Sequence, residues 1–208
     1  MWYAILITVL VGYFLGNLNG AVCMSQLLAH EDVRTHGSGN AGLTNFVRNY
    51  GAGKSVAVIA IDGGKAALAC LAGGLILAPY DMKLEGMAIG GLALMLGHDF
   101  PALLGFKGGK GIMSGCIIAF VIDWRIGLLI LGVFALAYFV TWYVSLGSVL
   151  AAVAFGVGFG IFHHDNLTVM ICGIVMAYLA LFMHRGNISR LIKGQEKKTN
   201  LFGKGKKA

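Results

Sequence analysis

The chain reads as an all-α integral membrane protein of about seven transmembrane helices with cytoplasmic glycine-rich loops, and three observations carry that expectation. Of its 208 residues 58% are hydrophobic and only 12% charged, about half the charged share of a soluble domain. Apolar stretches long enough to cross a ~30 Å hydrocarbon core recur along it. Its polar chemistry is gathered in three short segments, HGSGNAGLTNFVRN (36–49), GHDFPALLGFKGGKGIMSG (97–115) and HRGNISRLIKGQE (184–196). Inside lipid the backbone must satisfy itself, so the apolar stretches are expected to be helices. The 32 glycines suit close helix packing and ligand loops better than a soluble core.

Taken in order, the expected spans are 2–28, 55–78, 84–97, 111–122, 126–144, 147–162 and 167–183. The first has no basic n-region and is too long for an h-region, so it reads as a retained span rather than a signal peptide. The stretches 84–97 and 111–122 are short, and segments of ~10–14 residues also suit re-entrant or packed helices. Seven crossings are therefore expected, with five as the fallback. Cys23, Cys70, Cys116 and Cys172 lie far apart in apolar stretches. No pair has metal-ligand spacing, and they read as small packing residues. Residues 1–208 are expected to form a single polytopic domain with a short basic cytoplasmic tail from about 190.

With seven crossings, 29–54, 98–110 and the tail after 183 share one side. The opposite loops carry only Lys83 and Arg125, so fourteen of the sixteen Lys and Arg lie on the motif side or just within it. The positive-inside rule then places the motifs in the cytoplasm and the N-terminus outside. The tail from Arg190 to Lys207, with KGQEKK and GKGKK, reads as a solvated end that fixes topology or touches anionic lipid.

In the first segment Gly37, Gly39 and Gly42 spell G-x-G-x-x-G. The dinucleotide fingerprint needs a strand before it and a free acidic residue about 20 further on. Here a span precedes it and the acid, Asp62, sits within the next span, so that reading is rejected. A glycine loop remains whose N–H groups can nest an anion, beside Ser38, Asn40, Thr44 and Asn45. Arg48 adds a fork able to hold phosphate bidentately. The second segment, FKGGKG (106–111), resembles a P-loop but has Leu104 and Gly111 where that pattern needs Gly and Ser/Thr. Gly108, Gly109 and Gly111 with Lys107 and Lys110 can still cradle phosphate without a metal, at the start of the helix near 111. In the third, His184, Asn187 and Arg190 recur at i, i+3 and i+6, roughly one helical face. The histidine can hydrogen-bond a phosphoryl oxygen or move a proton.

Asp62 and Lys65, one turn apart at membrane depth, read as a structural pair or as a lysine reaching into the polar site. Ser145 and Ser148 are ambiguous, and His163 and His164 read as surface residues on the opposite face. Three reaction classes are excluded. The nine carboxylates form no clustered Asp pattern, no histidine is followed by Asp five residues on, and GxSxG is absent. The machinery is cationic and glycine-rich, suited to positioning and charge stabilisation.

Together the segments resemble the bacterial acyl-phosphate:glycerol-3-phosphate acyltransferase family, the PlsY type. GSGNAGLTNFVR is similar to that family's GSGNxGATNxxR, GHDFPALLGFKGGKGIMS to its GHxFPxFxxFKGGKGVAT, and HRGNISRLIKGQE to its HxxNIxRLxxGxE. Asp62, Lys65 and YVSL (143–146) are also family-like, and the likeness spans essentially the whole chain. Leu43, Met113, Ser114 and Trp142 depart from the pattern. The resemblance implies acyl transfer from a fatty acyl-phosphate to the 1-hydroxyl of glycerol-3-phosphate, giving 1-acyl-glycerol-3-phosphate, in a multi-pass protein of the bacterial cytoplasmic (inner) membrane.

It further implies that Ser38, Gly39, Asn40, Thr44, Asn45, Arg48, Lys65, Lys107, Gly108, Gly109 and Gly111 bind phosphates. Lys110, Ser145, His184 and Asn187 would complete the catalytic set. An acyl-phosphate is already activated, so no covalent intermediate, metal or cofactor is expected, and with no obvious carboxylate base the proton acceptor is either the substrate phosphate or His184. Membrane lipid and an acyl-phosphate-producing enzyme are the expected partners, and nucleic acid is not. The rival reading is an organic-phosphate membrane transporter, which would place polar groups deep in several spans, often in repeated halves. Only Asp62 and Lys65 are deep here.

Overall fold

A computed structural model describes residues 1–201 of the protein, and among them every regular element is helical. Ten α-helices, besides three short 3-10 turns, follow in order: α1 Trp2–Asn17, α2 Gly20–Ala29, α3 Leu43–Tyr50, α4 Ala52–Leu77, α5 Lys83–Asp99, α6 Ile112–Ile122, α7 Trp124–Thr141, α8 Val144–Phe162, α9 Leu167–Met183 and α10 Arg185–Ile192. Each expected span coincides with a helix or, for the first, a broken pair. Five helical stretches, 2–29, 52–80, 83–104, 124–141 and 144–162, are long and apolar enough to cross a membrane. A sixth forms if α9 and α10, bent by 57° at their junction, count together, whereas α6 is a shorter apolar helix. The protein is an integral membrane protein of several apolar helices.

Helices α1, α4 and α5 pack on one another, α7, α8 and α9 form a second group, and α6 bridges the two. Tight crossings draw the first group together. A Cβ on Gly97 of α5 would collide with the Tyr13 carbonyl of α1, and one on Gly73 of α4 with the Gly86 carbonyl of α5. Small residues permit that backbone approach, which in lipid supplies much of the packing attraction. The interior core runs through Cys70, Leu94, Met95, Ile118, Phe155, Phe159 and Met176. Leu6, Leu71, Leu136, Val157 and Ile171 point outward, as lipid-facing positions should. All four cysteines are free.

The first span is broken at Leu18–Asn19, and a break at that depth frees backbone groups that lipid cannot satisfy. The buried pair Asp62–Lys65 (2.9 Å) answers this. The Lys65 ammonium donates to the carbonyls of Gly16 (3.2 Å) and Leu18 (2.5 Å) at the end of α1. Asp62 Oδ1 accepts the Gly20 N–H (3.1 Å) opening α2. His163, expected at the surface, is instead 9% exposed with Nε2 3.4 Å from Asp123 Oδ2, drawn in by that carboxylate. His164 is exposed.

Candidate active site

The first segment is a loop wound on Asn45. That buried side chain shares its amide hydrogens among the carbonyls of Val33 (2.9 Å), His36 (3.0 Å) and Asn40 (3.1 Å), and its Oδ1 accepts Ser38 N–H (2.9 Å). Gly39 N–H donates to His36 O and Gly42 N–H to Asn40 O. The glycine loop therefore does not present the expected N–H nest, because those donors already face protein acceptors. The anion-attracting feature is one step further on, where α3 begins at Gly42 with no side-chain cap and the first-turn N–H groups lack intrahelical acceptors.

The second segment is tied down from several sides. Tyr13 Oη donates to Phe100 O (2.8 Å), and Asn17 Oδ1 accepts Leu103 N–H (3.0 Å). Arg34, held by Asp32, donates to the carbonyls of Leu104 (2.7 Å) and Lys107 (3.0 Å), which joins the first loop to the second. Gly108 and Gly109 donate to Asp99 O (3.3 Å) and His98 O (3.0 Å), so they are packing positions and not a phosphate cradle. Gly109 lies against the His98 imidazole so closely that a Cβ there would overlap the ring. His98 is itself fixed, since its Nδ1 accepts from the Lys65 ammonium (2.8 Å). The loop then turns at Gly111 (φ 70°), which opens α6, again without a side-chain cap.

The third segment wraps around the end of α9. A carbonyl can only accept, so His184 Nδ1, 2.8 Å from Ala180 O, carries a hydrogen, and Nε2 of the neutral ring is left as an acceptor. Asn187 joins two segments, its Oδ1 accepting from the Lys110 ammonium (2.5 Å) and its Nδ2 donating to Glu196 (3.0 Å). Arg190 Nε donates to the other Glu196 oxygen (2.7 Å). The expected solvated tail instead folds back. Thr199 Oγ1 accepts from Arg48 Nε (2.9 Å) and from a second Arg48 nitrogen, because the Tyr138 hydroxyl of α7 and the Trp142 carbonyl just after it hold the Thr199 backbone there. The GKGKK stretch lies outside the described residues.

These parts enclose a cavity of about 1090 Å³ lined by all three segments, by the start of α8 and by apolar side chains of α6 and α7, among them Cys116, Ile130 and Phe134. Its lining combines cationic and apolar side chains, as an amphiphile with an anionic head requires. Arg48, Lys110 and Arg190 line it together with the uncapped starts of α3 and α6. Burial, with repulsion from Arg190 and Arg48 and against attraction from Glu196, brings the Lys110 ammonium down to about 8. Burial alone would raise the Glu196 carboxyl, but hydrogen bonds from Arg190 and Asn187 hold it below the usual range. Burial likewise draws the Arg48 guanidinium downward.

Of the expected site residues, Ser38, Gly39, Asn40, Thr44, Asn45, Arg48, Lys110, Gly111, Ser145, His184 and Asn187 all line this cavity. Four do not. Lys65 is 3% exposed and engaged by the broken first span. Lys107 points to solvent, and Gly108 and Gly109 are packed against residues 98–101. Ser145 is buried and faces Glu196 closely enough to favour its charge, without reaching bonding geometry. Sequence reasoning missed Glu196, Thr199 and His98. Glu196 stood in the quoted third segment, but its bond to Asn187 depends on the chain reversing after α10. His98 stood in GHDFP, where only a known Gly109 contact would single it out.

A family model described as glycerol-3-phosphate acyltransferase matches residues 6–194. The chain is 36% identical over 196 residues to a protein named glycerol-3-phosphate acyltransferase from Thermoanaerobacter sp. (strain X514), covering 94% of this chain and 96% of that one. It is 36% identical over 202 residues to one so named from Shouchella clausii (strain KSM-K16), covering 95% and 97%. It is also similar to a crystal structure of PlsY (YgiH), an integral membrane glycerol 3-phosphate acyltransferase, in its glycerol 3-phosphate form. That match has a TM-score of 0.82 and 30% identity, and covers 94% of this chain and 96% of that one. The lysophosphatidic acid form matches with a TM-score of 0.81.

Proposed function

The chain belongs to the glycerol-3-phosphate acyltransferase family, and from that premise we propose that it transfers an acyl group from a fatty acyl-phosphate to the 1-hydroxyl of glycerol-3-phosphate. The products are 1-acyl-glycerol-3-phosphate and inorganic phosphate, the first step toward phospholipid. The observation that carries this reading is the cavity, in which all three polar segments meet cations and apolar side chains of α6 and α7.

Ser38 in the first loop, Thr44 in the first turn of α3 and Arg48 in its last turn, with Lys110 and Gly111 at the start of α6, are the phosphate ligands. Thr44 has its hydroxyl on the uncapped turn, and Arg48 offers a fork. Asn45 and Asn40 shape the first loop. Asn187 holds the Lys110 ammonium, and His184 Nε2 faces the cavity as a hydrogen-bond partner. The glycerol hydroxyl attacks the acyl carbonyl. The C–O bond to phosphate breaks, and the hydroxyl proton leaves with the phosphate. Cations and helix starts stabilise the charge that builds on the carbonyl oxygen and the leaving group. No step needs a covalent acyl-enzyme. The whole chain acts as one polytopic domain of the bacterial cytoplasmic membrane, with the three segments and the tail from about 190 in the cytoplasm and the N-terminus outside. An acyl-phosphate-forming enzyme supplies the donor.

Purified protein given palmitoyl-phosphate and labelled glycerol-3-phosphate is expected to form lysophosphatidate, while palmitoyl-CoA yields none and EDTA leaves the rate unchanged. Glycerol-3-phosphate flux into liposomes without product would favour the transporter.

A further inference from the structure

The extended segment after α10 is built into the site. Residues 195–201 all line the cavity, although the family match ends at residue 194. Thr199 is 5% exposed and secured by its backbone, its N–H donating to Trp142 O (3.1 Å) and its carbonyl accepting from Tyr138 Oη (3.1 Å). Tyr138 Oη in turn accepts Leu201 N–H (3.0 Å), and Lys198 lies over the Tyr143 ring. So fixed, the Thr199 hydroxyl takes the Arg48 fork, at Nε and at one terminal nitrogen. That is one of the two edges through which a guanidinium binds phosphate bidentately, and the shared terminal nitrogen belongs to both.

We infer that residues 195–201 form a latch over the phosphate site, with Thr199 competing with substrate phosphate for Arg48, so that the latch must release Arg48 in each turnover. This rests on the reading above that Arg48 holds a substrate phosphate. A phosphate bonds the fork through charged oxygens and displaces a neutral hydroxyl. The closed fraction of the protein lowers apparent substrate affinity in proportion. The latch thus keeps Arg48 aligned and shields the site between turnovers at a modest cost in affinity.

Two variants test it, each assayed with separate titrations of palmitoyl-phosphate and glycerol-3-phosphate. Thr199→Val keeps the shape and removes the competing hydroxyl, so KM for one substrate is expected to fall about three- to tenfold, the scale of the net contribution of one ordinary hydrogen bond. The substrate that responds is the one Arg48 holds. The second puts Thr199→Val into Arg48→Lys protein, where no fork is left to compete for, and there the same change is expected to leave both KM values within twofold. A rise in KM for Thr199→Val, or an equal fall with Arg48→Lys already present, overturns the proposal. Should Arg48→Lys abolish turnover, the Thr199→Val KM decides alone. Wild-type protein that makes no product counts against the activity reading and not the latch, which is then judged by whether Thr199→Val protein binds either substrate more tightly than wild type.

Discussion

Replacing Gly109 with alanine tests how the second segment positions Lys110. Gly109 does not adopt a left-handed conformation, so alanine meets no backbone penalty there. The whole effect comes from its methyl group, which would overlap the His98 imidazole. His98 cannot swing away, being 5% exposed and held at Nδ1 by Lys65. The loop must therefore move, and Lys110 moves with it. Overpacking of this kind costs about 1–3 kcal/mol. Expressed at the lysine's contacts, that is roughly a 5- to 150-fold loss of kcat/KM, since ~1.4 kcal/mol is tenfold. The assay is initial rate against glycerol-3-phosphate in detergent micelles, with Gly53→Ala as control because nothing stands within 4 Å of a Cβ there. Adding His98→Ala should give back part of the loss, since neighbours in contact are non-additive. A Gly109→Ala protein within twofold of wild type, or a double variant no better than the product of the singles, would refute the reasoning.

Three further outcomes follow from the same geometry. If the charged form of Lys110 binds phosphate, kcat/KM should fall as pH rises through about 8, and Lys110→Arg should carry that limb upward because arginine stays charged. A flat profile from pH 7 to 9.5 would contradict it. Lys65→Met leaves Asp62 buried and unpaired, a loss of about 3–5 kcal/mol, so thermal unfolding should fall sharply. Normal stability with a raised glycerol-3-phosphate KM would instead make Lys65 a substrate ligand. His184→Gln should retain measurable turnover if the substrate phosphate takes the proton, whereas complete loss with both substrates still bound would make His184 the general base.

Much of this was legible in the sequence because the membrane enforces it. Apolar runs had to be helices, and polar segments on alternate loops had to meet at one end for a single site to exist. That Arg48, Lys110, His184 and Asn187 meet in one cavity was readable from residue type and spacing. The errors share one physical origin, which is that a sequence shows which donors exist but not which are already engaged. Glycine N–H groups at 39, 108 and 109 are equally good phosphate donors on paper, yet each is bonded within the fold. Lys65 looked available because a buried lysine demands a partner, and the partners are carbonyls freed by a break in a different helix. Glu196 and Thr199 were hidden because their contacts depend on the chain reversing after α10, a turn at Gly194 (φ 65°) that charge pattern alone reads as solvated tail.

The central claim is direct attack by the glycerol hydroxyl while both substrates occupy one cavity. The initial-velocity pattern tests it most directly, with palmitoyl-phosphate and glycerol-3-phosphate varied together over purified protein. Lines that intersect in the double-reciprocal plot, meaning both substrates are bound before any phosphate leaves, are the predicted result. Parallel lines, the signature of a covalent acyl-enzyme formed before the acceptor binds, would contradict it.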